Sequence, residues 1–253
     1  MTYNAIQGLS MVVWIVFYIF YGKHIGLSKP KAFLAAVYTC VTTFLMIFIL
    51  TWIESGFKQF GAQNAVRVFA VEIIIIYTQK FIFGIDFRKN LDYCSVWPCL
   101  WYGVGHLACL IPKCCHSFTY VEGSALYKIS YALTGTALFP QQLCEAVCAL
   151  IIALVMWIIM RKKNYYIGGR MFFVMLITYG VQRIFWEFFR DNNKVIIFKE
   201  FASAISTETD KAYIGISNLA LWSLAMVVEG VIALIILNKL DKKAALKEAT
   251  EEE

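Results

Sequence analysis

The chain has 253 residues, of which 60% are hydrophobic and 16% are charged, and its formal net charge is +6. A soluble domain usually has about 25% charged residues, so this composition and the mean hydropathy of +0.65 exclude an ordinary soluble fold. The composition predicts an all-α integral membrane protein.

In chain order, about seven apolar segments each approach the roughly 20 residues that cross a hydrocarbon core of about 30 Å. The predicted segments are residues 5–21, 32–53, 65–84, 93–111, 141–160, 170–189 and 214–238. The third is the least secure, because Arg67, Glu72, Gln79 and Lys80 interrupt it; Glu72 has Arg67 and Arg183 as alternative partners. The first has no short positive leader and no cleavage site, so we expect an anchor and not a removed signal.

Basic residues predict the orientation, since cytoplasmic loops of membrane proteins are enriched in Lys and Arg. With the N-terminus outside, fourteen of the 23 basic residues fall on the same side as the C-terminus and seven on the other side. We therefore expect an outer N-terminus and a cytoplasmic C-terminus. The net charge then reflects topology and not nucleic-acid binding. Residues 1–239 are expected to form a single transmembrane domain, and residues 240–253 a short charged cytoplasmic tail.

The end of the sixth segment is the most informative about function. Arg183, Glu187 and Arg190 are spaced four and seven residues apart, which places them on one helical face. Charge inside a membrane costs several kcal/mol on most scales, so it persists where it is paired or used. A guanidinium with a carboxylate one turn away suits the binding of a phosphate and predicts a lipid-headgroup site. The alternative is that Arg183 and Glu187 only pair with each other at the end of a span.

Polar residues of other segments are predicted to lie at the same depth. The expected topology brings His106, at the end of the fourth segment, to the outer third of the bilayer. Gln142 and Glu145 begin the fifth segment on that side, and Ser217 lies near the start of the seventh. One shared cavity would explain this agreement in depth.

At these residues the chain resembles the prolipoprotein diacylglyceryl transferases, a family of bacterial membrane enzymes. The similarity covers residues 92–223 and consists of several short motifs in the same order and spacing. Family members have an aspartate fourteen residues before a Gly-Arg pair. In this chain Asp92 stands fourteen residues before His106. The other matches are residues 105–117, GHLACLIPKCCHS, to G-R-I-G-C-F-x-x-G-C-C-Y-G; residues 139–145, FPQQLCE, to H-P-x-Q-L-Y-E; residues 179–190 to Y-G-x-x-R-x-x-x-E-x-x-R; and residues 215–217 to G-L-S.

The chain also departs from the family pattern. His106 replaces the arginine of the Gly-Arg pair, and Lys113 and Ser117 replace two glycines. Residues 60–62, Phe-Gly-Ala, stand where the family has an H-G-G segment with a functional histidine. Either His106 or His116 has taken over a role, or transferase activity is altered or lost.

The resemblance implies transfer of the diacylglyceryl group of phosphatidylglycerol to the cysteine thiol of a prolipoprotein lipobox. The implied partners are phosphatidylglycerol, the prolipoprotein signal peptide and membrane lipids, without a cofactor. The implied location is the bacterial cytoplasmic (inner) membrane, as a multi-pass protein. The alternative is a non-catalytic relative that binds anionic lipid or precursor peptide. A solute transporter fits less well, because its polar groups should lie near the bilayer centre.

This chemistry assigns roles to individual residues. Arg183 is expected to clamp the phosphate, Glu187 to orient it, and His106 to contact phosphate or act as a base. The residues expected to bind substrate are Tyr179, Arg190, Gln142, Glu145, Cys109 and His116. For His106 the alternative is a hydrogen-bonded interfacial residue, and for Gln142 and Glu145 it is polar bracing between helices.

Cysteines near His116 raise the question of a metal site. Cys109, Cys114 and Cys115 precede this histidine, but the chain has no C-x2-C pair. Adjacent cysteines rarely form a good chelate or an unstrained disulfide. We therefore expect no metal, and we interpret these cysteines as small apolar packing residues.

Overall fold

The computed structural model describes residues 3–54, 56–58, 66–109, 122–135, 141–164, 166–187 and 218–251. Within these ranges the regular structure is helical and includes no strand. The helices are α1 (Tyr3–Tyr21), α2 (Lys29–Glu54), α3 (Val66–Phe83), α4 (Phe87–Cys94), α5 (Val96–Ala108), α6 (Ala125–Thr134), α7 (Gln141–Lys162), α8 (Met171–Glu187) and α9 (Asn218–Glu251), with a 3-10 turn at Gly22–Ile25.

Within the described ranges, four helical segments are long and apolar enough to cross a membrane. They are Gly8–Ile25, Lys29–Ile53, Gln141–Lys162 and Leu219–Glu251. The helices α3 and α8 have 18 and 17 residues, at the lower end of the length of a full span, and α5, with 13 residues, is shorter than a full span. The expected all-α membrane architecture is confirmed for the described residues. The number of seven spans and the orientation of the termini stay predictions, as does the single-domain organisation.

The fourth predicted segment is divided at Ser95 into α4 and α5. Pro98 explains the division, because a proline ring clashes with the carbonyl group four residues earlier, here that of Cys94. In the first turn of α5 the same proline is tolerated, since the N–H groups there have no partner within the helix. The chain can therefore change direction between α4 and α5.

Two further helical stretches lie outside the seven predicted segments. Helix α6 lies in a stretch that the sequence predicts to be a loop, between an N-cap at Ser124, which accepts from Tyr127 N at 3.1 Å, and Gly135 at φ 66°. Helix α9 does not end at the membrane boundary but continues through residues 240–251 of the charged tail. Its Ala, Lys and Glu residues there are good helix formers, which favours the extension.

Close packing brings α5, α7 and α8 together. A Cβ atom on Gly103 of α5 would lie 2.7 Å from Cγ of Leu150 in α7. A Cβ atom on Gly180 of α8 would lie 2.7 Å from the carbonyl oxygen of Ser223 in α9. Glycine therefore permits these helix pairs to approach closely, as small residues do in membrane bundles. Hydrogen bonds of Glu145 to Tyr102 and Arg183 bring the end of α5, the start of α7 and the end of α8 to one end of the bundle, called here the site end.

Asp92 fixes the start of α8 at the opposite end of the bundle. Its carboxylate accepts backbone N–H groups of Ile167, Gly169 and Met171 at 2.6, 2.9 and 2.9 Å. Hydrogen bonds to an ionised carboxylate are about twice as strong as neutral ones. Asp92 therefore fastens the connection between α7 and α8 to α4. Asp92, which matches the aspartate of the family pattern, thus has a structural role. It lies at the end of the bundle opposite His106.

Candidate functional site

Arg183 is a buried cation held between two carboxylates. Its side chain is 1% exposed. Nη1 donates to Oε1 of Glu145 at 2.8 Å, and Nη2 lies 2.8 Å from Oε2 of Glu187, one turn further along α8. The predicted pairing with Glu187 is present, but a second glutamate from α7 shares the guanidinium. Two carboxylates give the buried charge the pairing that a low-dielectric interior demands.

Glu145 is the residue at which the three helices of the site meet. Besides Arg183, its Oε1 accepts Nε2 of Gln141 at 2.7 Å. Its Oε2 accepts the hydroxyl of Tyr102 at 2.6 Å and lies 3.5 Å from Nδ1 of His106. The carboxylate is fully buried, with an exposed fraction of 0%. It thus joins α5, α7 and α8 through charged and polar contacts.

Aromatic rings form one wall of this cluster. The ring of Tyr102 stacks on His106 with 4.1 Å between centroids, and Tyr179 meets Tyr102 edge-on at 5.1 Å. Phe69 of α3 packs on Tyr179, also at 5.1 Å. The predicted site residue Tyr179 is fully buried in this wall. The rings exclude water and so strengthen the electrostatic interactions beside them.

The charges of the cluster are not balanced while His106 is neutral. Arg183 faces Glu145 and Glu187, so the described groups contain one carboxylate more than cations. A proton on His106, beside Glu145, would restore neutrality. The Nε–H group of Arg183 is buried and has no hydrogen-bond partner within the described part of the chain. It is a guanidinium donor for which the described residues supply no acceptor.

The structure brings most of the predicted site residues together. Arg183, Glu187, His106 and Glu145 form the cluster, and Tyr179 lines it. Gln142, at the start of α7, is buried with an exposed fraction of 5%. Cys109 is buried at the end of α5, with its N–H bonded to the carbonyl oxygen of His106 at 3.1 Å. Arg190 and His116 lie outside the described residues, as do the cysteines at 114 and 115 and the serine at 217.

Sequence reasoning missed two members of the cluster. Gln141 donates to Glu145 and also to the carbonyl oxygen of Trp186 at 2.8 Å, which ties α7 to α8. Tyr102 donates to the same carboxylate. A signal for both was present, because Gln141 lies four residues before Glu145, and Tyr102 four before His106. Residues at this spacing share a helical face.

Glu72 does not join the cluster, although a pairing with Arg183 was one of two alternatives for it. It is 1% exposed, and neither carboxyl oxygen has a hydrogen-bond partner among the described residues. The side chain of Arg67, the other alternative, lies outside the described part. No group of three or more His, Cys, Asp or Glu side chains arranged for a metal ion occurs in the described ranges.

Helices long and apolar enough to cross a membrane, with a guanidinium buried between two carboxylates, are typical of a multi-helix membrane protein with a charged internal site. The sequence model of the prolipoprotein diacylglyceryl transferase family matches residues 9–236. The chain therefore belongs to this family, whose members are transferases of lipoprotein biosynthesis. The match confirms the resemblance and extends it to α1, α2 and α3. Comparison with curated proteins gives no match.

Proposed function

We propose that this protein transfers the diacylglyceryl group of phosphatidylglycerol to the lipobox cysteine thiol of prolipoproteins. The observation that carries the proposal is the guanidinium of Arg183, buried in one cluster with the imidazole of His106. In the reaction a sulfur–carbon bond forms at the glyceryl carbon. The bond from that carbon to the phosphate oxygen breaks, and glycerol phosphate leaves with the electron pair.

Arg183 would stabilise the phosphate. Glu187 and Glu145 hold its two amino groups in place, so the guanidinium is preorganised before a ligand arrives. The buried Nε–H is then directed at a phosphate oxygen on which charge develops as the carbon–oxygen bond breaks. Preorganised donors in a water-excluded site are commonly the largest contribution to such catalysis. Arg190 is proposed as a further cation at the rim.

His106 would accept the proton of the thiol. Its Nδ1 lies 3.5 Å from Oε2 of Glu145, so the carboxylate stabilises the protonated ring. Thiolate is the nucleophilic form of cysteine, and an imidazole with a carboxylate behind it is a suitable base near neutral pH. The proton would also balance the excess carboxylate of the cluster. Proton transfer to His106 and binding of an anionic lipid therefore favour each other.

The second candidate is a non-catalytic protein that binds anionic lipid or precursor peptide. Two observations favour it. Both amino groups of Arg183 already have carboxylate partners. A phosphate must therefore displace one of these carboxylates or bind Arg183 beside them. The segment at residues 60–62 also lacks the imidazole of the family motif. On this hypothesis the cluster serves recognition alone.

Complementation separates the two candidates. The protein is expressed in a bacterium depleted of its own prolipoprotein diacylglyceryl transferase, with Arg183→Ala as the inactive control. We expect restored growth and a thioether-linked diacylglyceryl group on a reporter lipoprotein, detected by mass spectrometry in the inner-membrane fraction. Unmodified lipoprotein despite membrane insertion of the wild-type chain would favour the binding protein.

A further inference from the structure

A second group of buried polar side chains lies inside the bundle, apart from the Arg183 cluster. Its members come from α1, α2, α3 and α5 and are called here the inner donor group: Trp14, Thr43, Glu72 and Trp101. Their exposed fractions are 0%, 3%, 1% and 6% in that order. The two indole N–H groups, the hydroxyl and both carboxyl oxygens have no hydrogen-bond partner within the described ranges. Buried polar groups are nearly always satisfied, so an unpaired set indicates a ligand.

Aromatic contacts join the first and last members. Trp14 stacks on Trp97 with 4.8 Å between ring centroids. Trp97 in turn meets Trp101, one turn further along α5, at 5.8 Å. The two indoles with unpaired N–H groups therefore belong to one continuous row of rings that passes from α1 to α5.

The other two members adjoin the same row. Trp101 contacts Phe44, the neighbour of Thr43 on α2, at 6.5 Å. It contacts Phe69, which precedes Glu72 by three residues on α3, at 6.4 Å. The carboxyl group of Glu72 also lies within electrostatic reach of the thiols of Cys40 on α2 and Cys99 on α5. The four members therefore lie on neighbouring helices that the ring contacts of Trp97 and Trp101 connect.

Their chemistry is mainly that of hydrogen-bond donors. Threonines in helices commonly donate to a carbonyl oxygen one turn earlier, and Thr39 and Thr42 do so to Ala35 and Tyr38 at 2.9 and 2.6 Å. Thr43 has no such bond, so its hydroxyl is available. No cation pairs with Glu72 among the described residues, and burying a neutral acid costs far less than burying a lone carboxylate. As an acid, Glu72 contributes an O–H donor.

The position of the group indicates which ligand it would meet. Phe69 contacts Tyr179, and Tyr179 precedes Arg183 by one turn of α8. The inner donor group therefore adjoins the Arg183 cluster on the side away from the site end. In a glycerophospholipid bound by its phosphate, the ester carbonyl groups lie next to the phosphate on the acyl side. These carbonyl oxygens are uncharged hydrogen-bond acceptors, and they suit donors that carry no charge.

We propose that the inner donor group binds an ester carbonyl oxygen of the lipid's diacylglyceryl group. This inference rests on the proposed function, because it places the lipid phosphate at Arg183. It makes the ester linkage a determinant of specificity, since a lipid with ether-linked chains presents no carbonyl to these donors.

The test compares phosphatidylglycerols that differ in this linkage alone. Binding of the diester and the matched diether lipid to the purified protein is measured by competition in nanodiscs. Loss of one hydrogen bond corresponds to about a 2- to 10-fold change in affinity, so we expect the wild type to prefer the diester by at least that factor. Thr43→Val and Glu72→Leu should reduce the preference, whereas Thr42→Val, at the neighbouring position, should retain it.

Equal affinity for the two lipids would overturn the inference, and so would an unchanged preference in Thr43→Val and Glu72→Leu. If either variant fails to fold, the ratio of the wild-type affinities for the diester and the diether lipid decides the test alone. Transfer to a lipobox peptide is recorded in the same nanodiscs. A diester preference without peptide modification would contradict the proposed transfer and leave the carbonyl site standing. Modification with equal use of both lipids would contradict the carbonyl site alone.

Discussion

Arg183 and Glu145 lie 38 residues apart in the chain, yet their charged groups meet at 2.8 Å with almost no exposure to solvent. The pair joins α7 to α8 beside the pairing of Arg183 with Glu187, one turn further along α8. Removing one partner of such a buried pair costs about 3–5 kcal/mol, because the other charge remains without compensation. The pair therefore contributes both to the assembly of the helices and to the potential of the site.

Arg183→Lys is expected to abolish most of the transfer while leaving a cation in place. A lysine presents a single ammonium group, which cannot bridge Glu145 and Glu187 in the fork geometry of a guanidinium and still donate to phosphate. We expect transfer to a lipobox peptide to fall by about 10²-fold or more, the usual effect of losing a donor to developing charge. Arg161→Lys is the matched control, since Arg161 lies over the ring of Trp157 at 5.0 Å at the far end of α7. Normal transfer by Arg183→Lys would remove the guanidinium from the mechanism.

His106→Arg separates charge from proton transfer. The substitution keeps a cation near Glu145 and installs the residue that the family has at this position, but it removes the imidazole. We expect phosphatidylglycerol binding to persist and transfer to decrease by about 10²- to 10⁴-fold, the range for loss of a general base. Binding and transfer are measured on the same preparation. Full transfer by this variant would show that His106 serves as a cation and not as a base.

Tyr102→Phe removes one hydrogen bond and retains the ring. The lost bond is the 2.6 Å donation to Glu145, while the stacking on His106 remains. We expect a loss of about 0.5–1.5 kcal/mol in the free energy of unfolding, together with reduced transfer. Tyr77→Phe is the control, because Tyr77 is 48% exposed and makes ring contacts with Phe81 and Phe87. Equal stability of the two variants in detergent would mean that the Tyr102 hydroxyl contributes nothing.

Asp92→Asn tests the anchor at the opposite end of the bundle. An amide has one acceptor oxygen and no charge, so it cannot replace a carboxylate that accepts three N–H groups. We expect a loss of about 2–3 kcal/mol, the range for hydrogen bonds to a charged group, and faster amide exchange at Gly169 and Met171. Asp86→Asn is a milder control, since Asp86 caps α4 through one bond to Lys89 N at 2.9 Å. Exchange rates equal to wild type would contradict the anchoring role.

The sequence predicts those parts of the site that depend on spacing within one helix. Positions four apart on α8 place Glu187 beside Arg183, and span ends at equal depth bring His106 and Glu145 to the same level. The partnership of Glu145 with Arg183 was not predicted, because it depends on how α7 packs against α8. That packing depends on contacts between helices, such as the bond from Gln141 in α7 to the carbonyl oxygen of Trp186 in α8, which a single-helix pattern does not contain.

Two other features depend on local chemistry that the apolar pattern conceals. Hydropathy alone makes residues 93–111 one segment, whereas Pro98 and the preceding Cys94 carbonyl divide it. The same pattern shows that Glu72 interrupts an apolar run but not which helices surround it. Its neighbours on α2 and α5 are distant in the chain, so its environment follows from tertiary packing alone.

The most direct test of the account is a single-turnover assay with isotope-labelled phosphatidylglycerol and a lipobox peptide in proteoliposomes. We predict that the peptide gains the labelled diacylglyceryl mass on its cysteine with the wild-type protein, and does not gain it with Arg183→Ala or when serine replaces the peptide cysteine. An unmodified peptide in the presence of folded, inserted wild-type protein would contradict the claim that the Arg183, Glu145 and His106 cluster performs this transfer.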